Sequence, residues 1–278
     1  MKHPRAHVWK AAAATAVGGV AVAGLRTATG RRVRSAPTLV AAGAGMAAGG
    51  LMAYEWLTPR SWLYGPVFWH AQTSERVVAL TFDDGPCHPY TGQLLEVLDR
   101  EGIRATFFEV GNNVVREPNL AAEVASKHEV GNHTFTHPHL VWSRPGTARE
   151  ELLRGQAAIH EATGTLPRLF RVPHGWYGPQ VISVAGELGM KCVGWSVMAW
   201  DWDRPPTDVI QRRILRGAGP GGVTLLHDGQ DTEAFPKADR SHTIAAVSDI
   251  ISSLKANGYG FLTIPELMEL DARDGQPS

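Results

Sequence analysis

The sequence predicts an α/β domain built around a parallel sheet, and three observations lead to this prediction. The chain has 278 residues, of which 44% are hydrophobic, enough for one large core. From residue 76 onward, runs rich in Val, Ile, Leu and Phe alternate with stretches of helical periodicity. Strands joined by helices run parallel, because parallel pairs need long crossovers, and the chemically capable residues fall where the predicted strands end.

Seven strands and seven helices are predicted in strict order. Each strand is a short apolar run, and each helix spaces its apolar residues three or four positions apart, as Leu94, Leu95 and Leu98 are spaced. The strands cover 77–82, 105–110, 129–133, 169–172, 191–197, 222–226 and 259–264. The helices cover 91–100, 117–127, 147–162, 180–188, 207–215, 243–256 and 265–271. No repeat interrupts them, so we predict one folded domain over 76–270 and a short tail over 271–278.

Charge is distributed unevenly along the chain. Residues 1–60 contain eight Lys and Arg against one acidic residue, Glu55, whereas the remainder contains 19 basic and 26 acidic residues. An acidic main body argues against a nucleic-acid partner. Two cysteines in the whole chain argue against a disulfide-stapled scaffold.

The basic front end predicts a membrane or export segment. Two uncharged apolar stretches, 11–25 and 35–54, flank a cluster of arginines, and only the second is long enough to span a bilayer. If 35–54 crosses alone, the arginines stay in the cytoplasm, as the positive-inside bias requires. We therefore expect a cytoplasmic stub and span within 1–60, a juxtamembrane linker over 61–75, and an extracytoplasmic catalytic domain at the cell membrane. The alternative is a cleaved signal peptide and a secreted protein.

Two adjacent carboxylates, Asp83 and Asp84, end the first predicted strand. Gly85 and Pro86 then turn the chain sharply, so both side chains can converge on one point. Adjacent acids repel each other, so a metal ion or an arginine should lie between them.

Two histidines at i and i+4, His133 and His137, follow the third strand. This spacing places both imidazoles on one side of a turn and is a common way to present two metal ligands. Two histidines and one carboxylate fit a catalytic zinc site, but the same set fits non-haem iron. The corresponding oxygenase predicts an all-β barrel, which the alternation of strands and helices disfavours.

Three further strand ends carry groups for the same site. Arg171 could hold Asp83 ionised, and Asp201 could pair with Arg171. Trp202 could wall a sugar pocket, and His227 is a candidate general acid.

Five segments in this order, 81–86, 133–137, 171–175, 201–202 and 225–228, resemble the five motifs of the polysaccharide deacetylases (carbohydrate esterase family 4, the NodB-homology domain). The resemblance spans about 76–270. It implies a distorted (β/α)7 barrel and a divalent metal, usually zinc. It also implies removal of N-acetyl groups from chitin, peptidoglycan or related cell-wall glycans, by hydrolysis of a carbon–nitrogen bond other than a peptide bond, and sometimes removal of O-acetyl groups. The implied partner is an acetylated polysaccharide, and no obligate protein partner is evident.

The resemblance also assigns roles. Asp83 resembles the catalytic base and His227 the general acid, and Arg171 with Asp201 resembles the pair that orients the base. The residues that resemble the metal triad are Asp84, His133 and His137. The residues that match substrate-binding positions are Pro173, His174, Trp202 and Leu225, with the backbone N–H of His174 as an oxyanion donor.

Two positions depart from the family pattern. Met198 stands where the fourth motif usually has an acid, and His174 stands where an aromatic residue is usual. Neither removes a metal ligand or the acid and base, but both leave open an alternative: a glycan-binding pseudoenzyme on the same barrel.

Overall fold

The computed structural model describes residues 65–230 and 239–274. The strands are β1 (Val67–Phe68), β2 (Val77–Ala79), β3 (Thr81–Gly85), β4 (Thr106–Glu109), β5 (Glu129–Asn132), β6 (Leu169–Phe170), β7 (Lys191–Val193), β8 (Val197–Met198), β9 (Gly222–His227) and β10 (Gly260–Phe261). The helices are α1 (Tyr90–Glu101), α2 (Gly111–Arg116), α3 (Pro118–Lys127), α4 (Pro145–Thr163), α5 (Pro179–Glu187), α6 (Thr207–Gly217), α7 (Ser241–Ala256) and α8 (Ile264–Asp274).

The strands form one sheet in the order β1-β7-β6-β5-β4-β3-β9-β2-β10, with β8 also paired to β9. Every pair of these strands is parallel. The predicted α/β class with a parallel sheet is therefore confirmed, and it excludes the all-β barrel of an oxygenase. Across the described residues, the ladder of paired strands has β1 and β10 at its two ends.

Two predicted strands are each divided in the structure. The predicted strand 77–82 becomes β2, which pairs with β10, and β3, which pairs with β4. The predicted strand 191–197 becomes β7 beside β6 and β8 beside β9. In both cases the chain changes its neighbouring strand part-way, and a run of apolar residues does not reveal where that change occurs.

Three hydrophobic clusters form the core of the described residues, and neighbouring strand residues alternate between the two sides of the sheet. Phe82 and Phe107 pack together, 5.3 Å between ring centroids, among leucines and isoleucines of the surrounding helices. Phe108 faces the opposite side with Leu169, Val193 and other strand residues. Because strand side chains alternate, Asp83, which follows Phe82, and His227, which follows Leu226, face the same side of the sheet as Phe108.

The sheet begins before residue 76, where the sequence predicts the start of the folded domain. Val67–Phe68 pairs with Cys192 and Val193 of β7, and Ala71 is fully buried, so this part of the predicted linker 61–75 belongs to the sheet. At the other end, α8 continues to Asp274, beyond the predicted limit of 270.

The predicted span 35–54 and the rest of the stub lie outside the described residues. Among the helices that are described, none combines the length and the apolar character that crossing a bilayer requires.

Candidate metal and catalytic site

The predicted site residues converge at the carboxyl ends of the central strands. Asp83 and Asp84 end β3, His133 follows β5, Arg171 follows β6, and His227 ends β9. β5 is adjacent to β6 and β3 to β9, and only β4 separates the two pairs, so the strand ends lie together, as the sequence predicts.

A three-residue cluster fits a metal ion. One ligand atom from each of Asp84, His133 and His137 lies within 4.8 Å of the others, and all three residues are buried. Asp84 Oδ1 is 3.4 Å from His133 Nε2 and 3.2 Å from His137 Nε2. One carboxylate and two imidazoles at this spacing form a donor set that a divalent cation can take.

The hydrogen bonds around this cluster indicate that a cation belongs there. His133 Nδ1 lies 2.7 Å from the carbonyl oxygen of Arg171, so Nδ1 carries the hydrogen and donates it. The lone pair of Nε2 then faces Asp84 Oδ1, a buried oxygen without a hydrogen-bond donor. Two facing lone pairs repel each other unless a cation lies between them. A metal-ligating histidine that donates its other ring nitrogen to a carbonyl is the usual arrangement.

The ligands reach this geometry through strained backbone rather than through a helical turn. Asp84, Thr134 and His137 have φ of 73°, 68° and 60°, a region that residues with side chains rarely adopt. The register of β3 against β4 shifts between Asp83 and Gly85, which lets both adjacent acids reach the site. Strain of this kind costs about 1–3 kcal/mol per residue and concentrates at functional sites.

Asp83 is held by a buried arginine. Arg171 Nη1 donates to Asp83 Oδ1 at 2.7 Å and to Thr81 Oγ1 at 2.7 Å. Arg171 Nη2 donates to the Gly194 carbonyl at 2.8 Å, and the guanidinium lies 4.1 Å from the centre of the Phe108 ring. The predicted role of Arg171 in orienting Asp83 fits this geometry.

The predicted pairing of Asp201 with Arg171 is wrong. Asp201 Oδ1 lies 2.9 Å from His227 Nδ1, and Asp201 Oδ2 accepts the His227 backbone N–H at 2.8 Å and the Thr243 hydroxyl at 3.1 Å. Burial lowers the pKa of His227, but Asp201 and then Asp84 raise it, and the net pKa lies above that of an ordinary imidazole. Asp201 follows β8, beside β9 and its terminal histidine, and this placement gives the acid to His227 instead.

The predicted substrate-binding residues surround this centre. Trp202 is 37% exposed, and its ring stands edge-on to His227 at 5.3 Å. His174 has φ 61°, lies 4.5 Å from the His137 ring and stacks on His139 at 3.8 Å. Pro173 and Leu225 are buried, and Leu225 pairs with Met198 of β8.

Two buried acids lie behind the site. Glu109 ends β4 and is fully buried, and burial, then Asp228, raises its pKa well above the usual range. Burial raises the pKa of Asp228 to about 7; Asp84 raises it as well, and the Thr91 hydroxyl lowers it. From the sequence, Asp228 was included in the segment 225–228 without a role, and Glu109 was missed, although that residue also lies near the end of a predicted strand.

Comparison with known proteins identifies relatives of this chain. The sequence model described as polysaccharide deacetylase matches residues 70–193. A peptidoglycan-N-acetylglucosamine deacetylase of Bacillus cereus is 37% identical over 73% of this chain and 93% of its own length. A chitooligosaccharide deacetylase of a Bradyrhizobium species is 37% identical over 69% of this chain and 90% of its own length.

Solved structures agree with these relatives. The Bc1960 peptidoglycan N-acetylglucosamine deacetylase superimposes with a TM-score of 0.69 at 31% identity, over 76% of this chain and 96% of that one. BA3943 of Bacillus anthracis, a pseudoenzyme of carbohydrate esterase family 4, gives 0.66 at 29% identity, over 76% of this chain and 70% of that one. The shared fold therefore includes both active and inactive proteins, and only the site can distinguish them.

Proposed function

This chain belongs to the polysaccharide deacetylase family, the NodB-homology hydrolases of carbohydrate esterase family 4, and on that premise we propose that it removes N-acetyl groups from a polysaccharide of N-acetylglucosamine type. Peptidoglycan or a chitin-like glycan is the proposed substrate, because the relatives carry these two names. The proposed cofactor is a divalent metal, zinc, held by Asp84, His133 and His137. When bound, it polarises the acetamide carbonyl and acidifies the attacking water.

The chain itself supplies the two proton transfers. Asp83, oriented by Arg171, accepts a proton from the water whose oxygen bonds to the acetamide carbon. The Nδ1 of His227 is hydrogen-bonded to Asp201, which leaves Nε2 to face the substrate. Nε2 donates a proton to the amide nitrogen as the carbon–nitrogen bond breaks. The products are acetate and a free amino sugar. The His174 backbone N–H and the indole of Trp202 are proposed to contact the acetyl group.

One observation carries this proposal: a buried base and a buried acid, each with its own charged partner, flank a buried triad of metal ligands. A glycan-binding pseudoenzyme is the second candidate, because the family contains one of similar structure and because Met198 and His174 depart from the pattern. The complete set of Asp83, His227 and the metal triad favours the enzyme.

An acetate-release assay tests the proposal. N-acetylchitooligomers and peptidoglycan are incubated with the chain, with zinc added and with zinc removed by a chelator. Release that depends on zinc supports the deacetylase. Sugar binding without any acetate would instead establish the pseudoenzyme.

We also propose that residues 35–54 anchor the protein in the cell membrane and that the catalytic domain lies outside the cytoplasm. The length of this uncharged stretch and the basic run before it support the anchor. Secretion after signal cleavage remains the alternative. The distorted (β/α)7 arrangement, which the resemblance implies for the parallel sheet, is likewise part of the proposal.

A further inference from the structure

The loop between the two histidine ligands is held in a conformation that it would not adopt alone. Thr134 and His137 both have left-handed φ, although neither is glycine. Such a backbone persists only when its surroundings determine it. The partners of its peptide groups therefore reveal what places the two imidazoles.

Most of these partners are backbone groups or neutral side chains. The first two amides of α2, Gly111 and Asn112, donate to the carbonyls of Thr134 and Phe135 at 2.9 Å each. The Thr134 amide donates to Asn132 Oδ1 at 2.8 Å, and the His137 amide donates to Thr134 Oγ1 at 3.0 Å. The amides of Phe135 and Thr136 remain to be satisfied.

One carboxylate accepts both. Glu151 Oε2 accepts the amide of Phe135 at 3.0 Å and the amide of Thr136 at 2.8 Å, and Oε1 accepts the Thr136 hydroxyl at 2.9 Å. Glu151 is only 8% exposed, so these bonds are largely shielded from water. Hydrogen bonds to an ionised acceptor are shorter and stronger than neutral ones.

The rest of the same helix face also supports the loop. Arg154, one turn after Glu151 on α4, places its guanidinium 3.8 Å above the Phe135 ring. Gly155 lies so close that a Cβ there would meet the Thr134 carbonyl oxygen at 2.9 Å. The helix therefore fits the backbone of the loop, and Glu151 is its charged contact.

We propose that Glu151 is a positioning residue of the metal centre: its carboxylate fixes the peptide between His133 and His137 so that both Nε2 atoms and Asp84 share one cation. This inference rests on the proposed function, because it needs the metal triad to bind a metal. Glu151 lies outside the five segments that carry the family resemblance.

Replacing the carboxylate by its amide tests this role. In Glu151→Gln, one acceptor oxygen becomes a donor and the charge is lost while the size is kept. We expect the dissociation constants of Zn²⁺ and Co²⁺, measured by competition with a chromogenic chelator, to rise about 10- to 100-fold. The absorption spectrum of the Co²⁺ form should change, because it reports ligand geometry. Glu161→Gln, at an exposed position further along the same helix, should match the wild type in both measurements.

A milder variant keeps the test decisive if Glu151→Gln does not fold. Thr136→Val removes only the hydroxyl bond, and it should weaken metal binding about 2- to 10-fold, the usual effect of one hydrogen bond. A role confined to folding would lower the melting temperature of the metal-free variants and leave their metal affinity unchanged, which would overturn the inference. A wild-type chain that binds neither metal would remove the proposed function as well, so the two failures are distinguishable.

Discussion

At the scale of single residues, the acid and the base of this site each depend on a buried partner of opposite charge. For His227 the partner is Asp201, and removing that charge should change when the imidazole loses its proton. Burial lowers the pKa of His227, but Asp201 and then Asp84 raise it by more, so the folded value lies above the ordinary one. The general acid must be protonated to act, and the alkaline limb of the rate profile follows its pKa.

We therefore expect Asp201→Asn to move the alkaline limb of the kcat/KM profile to lower pH, by about 1–3 pH units, the usual effect of one nearby opposite charge. The measurement is acetate release on chitooligomers across the pH range. Asp208→Asn is the matched control, because Asp208 is an exposed acid on α6 that pairs with Arg212. An unmoved alkaline limb in Asp201→Asn would show that His227 is not the acid.

Different mutations should abolish metal binding and proton transfer. Asp84→Ala or His133→Ala should lose both bound metal and activity, because each removes one of three ligands. Asp83→Asn or His227→Ala should keep the metal and slow turnover by roughly two to four orders of magnitude. Elemental analysis of the purified variants, beside acetate release, checks both expectations. Full metal occupancy in Asp84→Ala and His133→Ala would refute the ligand assignment.

At the scale of elements, a single close approach fixes the loop after β9 against the end of β3. A Cβ on Gly229 would lie 1.9 Å from the Asp84 carbonyl oxygen and 2.7 Å from the Gly85 nitrogen. Both contacts are backbone, so no side chain can move aside. The Gly229 amide also donates toward the Asp83 carbonyl.

Gly229→Ala should therefore displace one of the two loops. We expect a loss of about 1–3 kcal/mol in the free energy of unfolding, as for other overpacked sites, together with weaker metal binding. Urea unfolding and chelator competition measure the two effects. Gly92→Ala is the control, because a Cβ at that position on α1 meets nothing within 4 Å and alanine favours the helix. Equal behaviour of the two variants would contradict the close approach.

The same elements show what the sequence can and cannot predict. The ends of parallel strands meet at one edge, so strand ends predicted that two histidines and one carboxylate meet there. The choice of Asp84 rather than Asp83 as the ligand came from the family resemblance. The partner of Asp201 was not predictable in this way, because it depends on which strands are neighbours in the sheet. Glu109 was missed and Asp228 received no role. Both side chains lie behind the site, because alternation along β4 and β9 turns them to the side of the sheet opposite to Asp83 and Arg171.

At the scale of the whole molecule, metal binding should stabilise the fold. A ligand at 100 times its dissociation constant adds about 2.7 kcal/mol to the free energy of unfolding. For a domain of this size, that corresponds to a melting temperature about 5–11 °C higher. Thermal unfolding with zinc and with a chelator measures the difference. The shift should vanish in His137→Ala, and a shift that persisted there would place the metal elsewhere.

The boundary between the front end and the catalytic domain gives the last prediction, because membrane attachment and folding should depend on different residues. Removing residues 1–64 deletes the proposed anchor and leaves β1 intact. Removing 1–75 also deletes β1, the buried Ala71 and two backbone bonds: Gly194 N–H to the Phe68 carbonyl at 2.7 Å, and Ala71 N–H to the Gly221 carbonyl at 2.9 Å. Gly194 also accepts a bond from Arg171 Nη2, so β1 indirectly supports the arginine that orients the base.

We expect the full chain in the membrane fraction and the chain lacking 1–64 in the soluble fraction, with zinc affinity unchanged between them. The chain lacking 1–75 should lose about 2 kcal/mol or more in the free energy of unfolding, since each net backbone hydrogen bond contributes about 1 kcal/mol. Fractionation and urea unfolding test the two parts separately. The anchor would be refuted if the uncleaved full-length chain were found in the soluble fraction without detergent. Equal stability of the two truncated chains would instead refute the role of β1, because the edge strand would then add nothing to the sheet that carries Arg171.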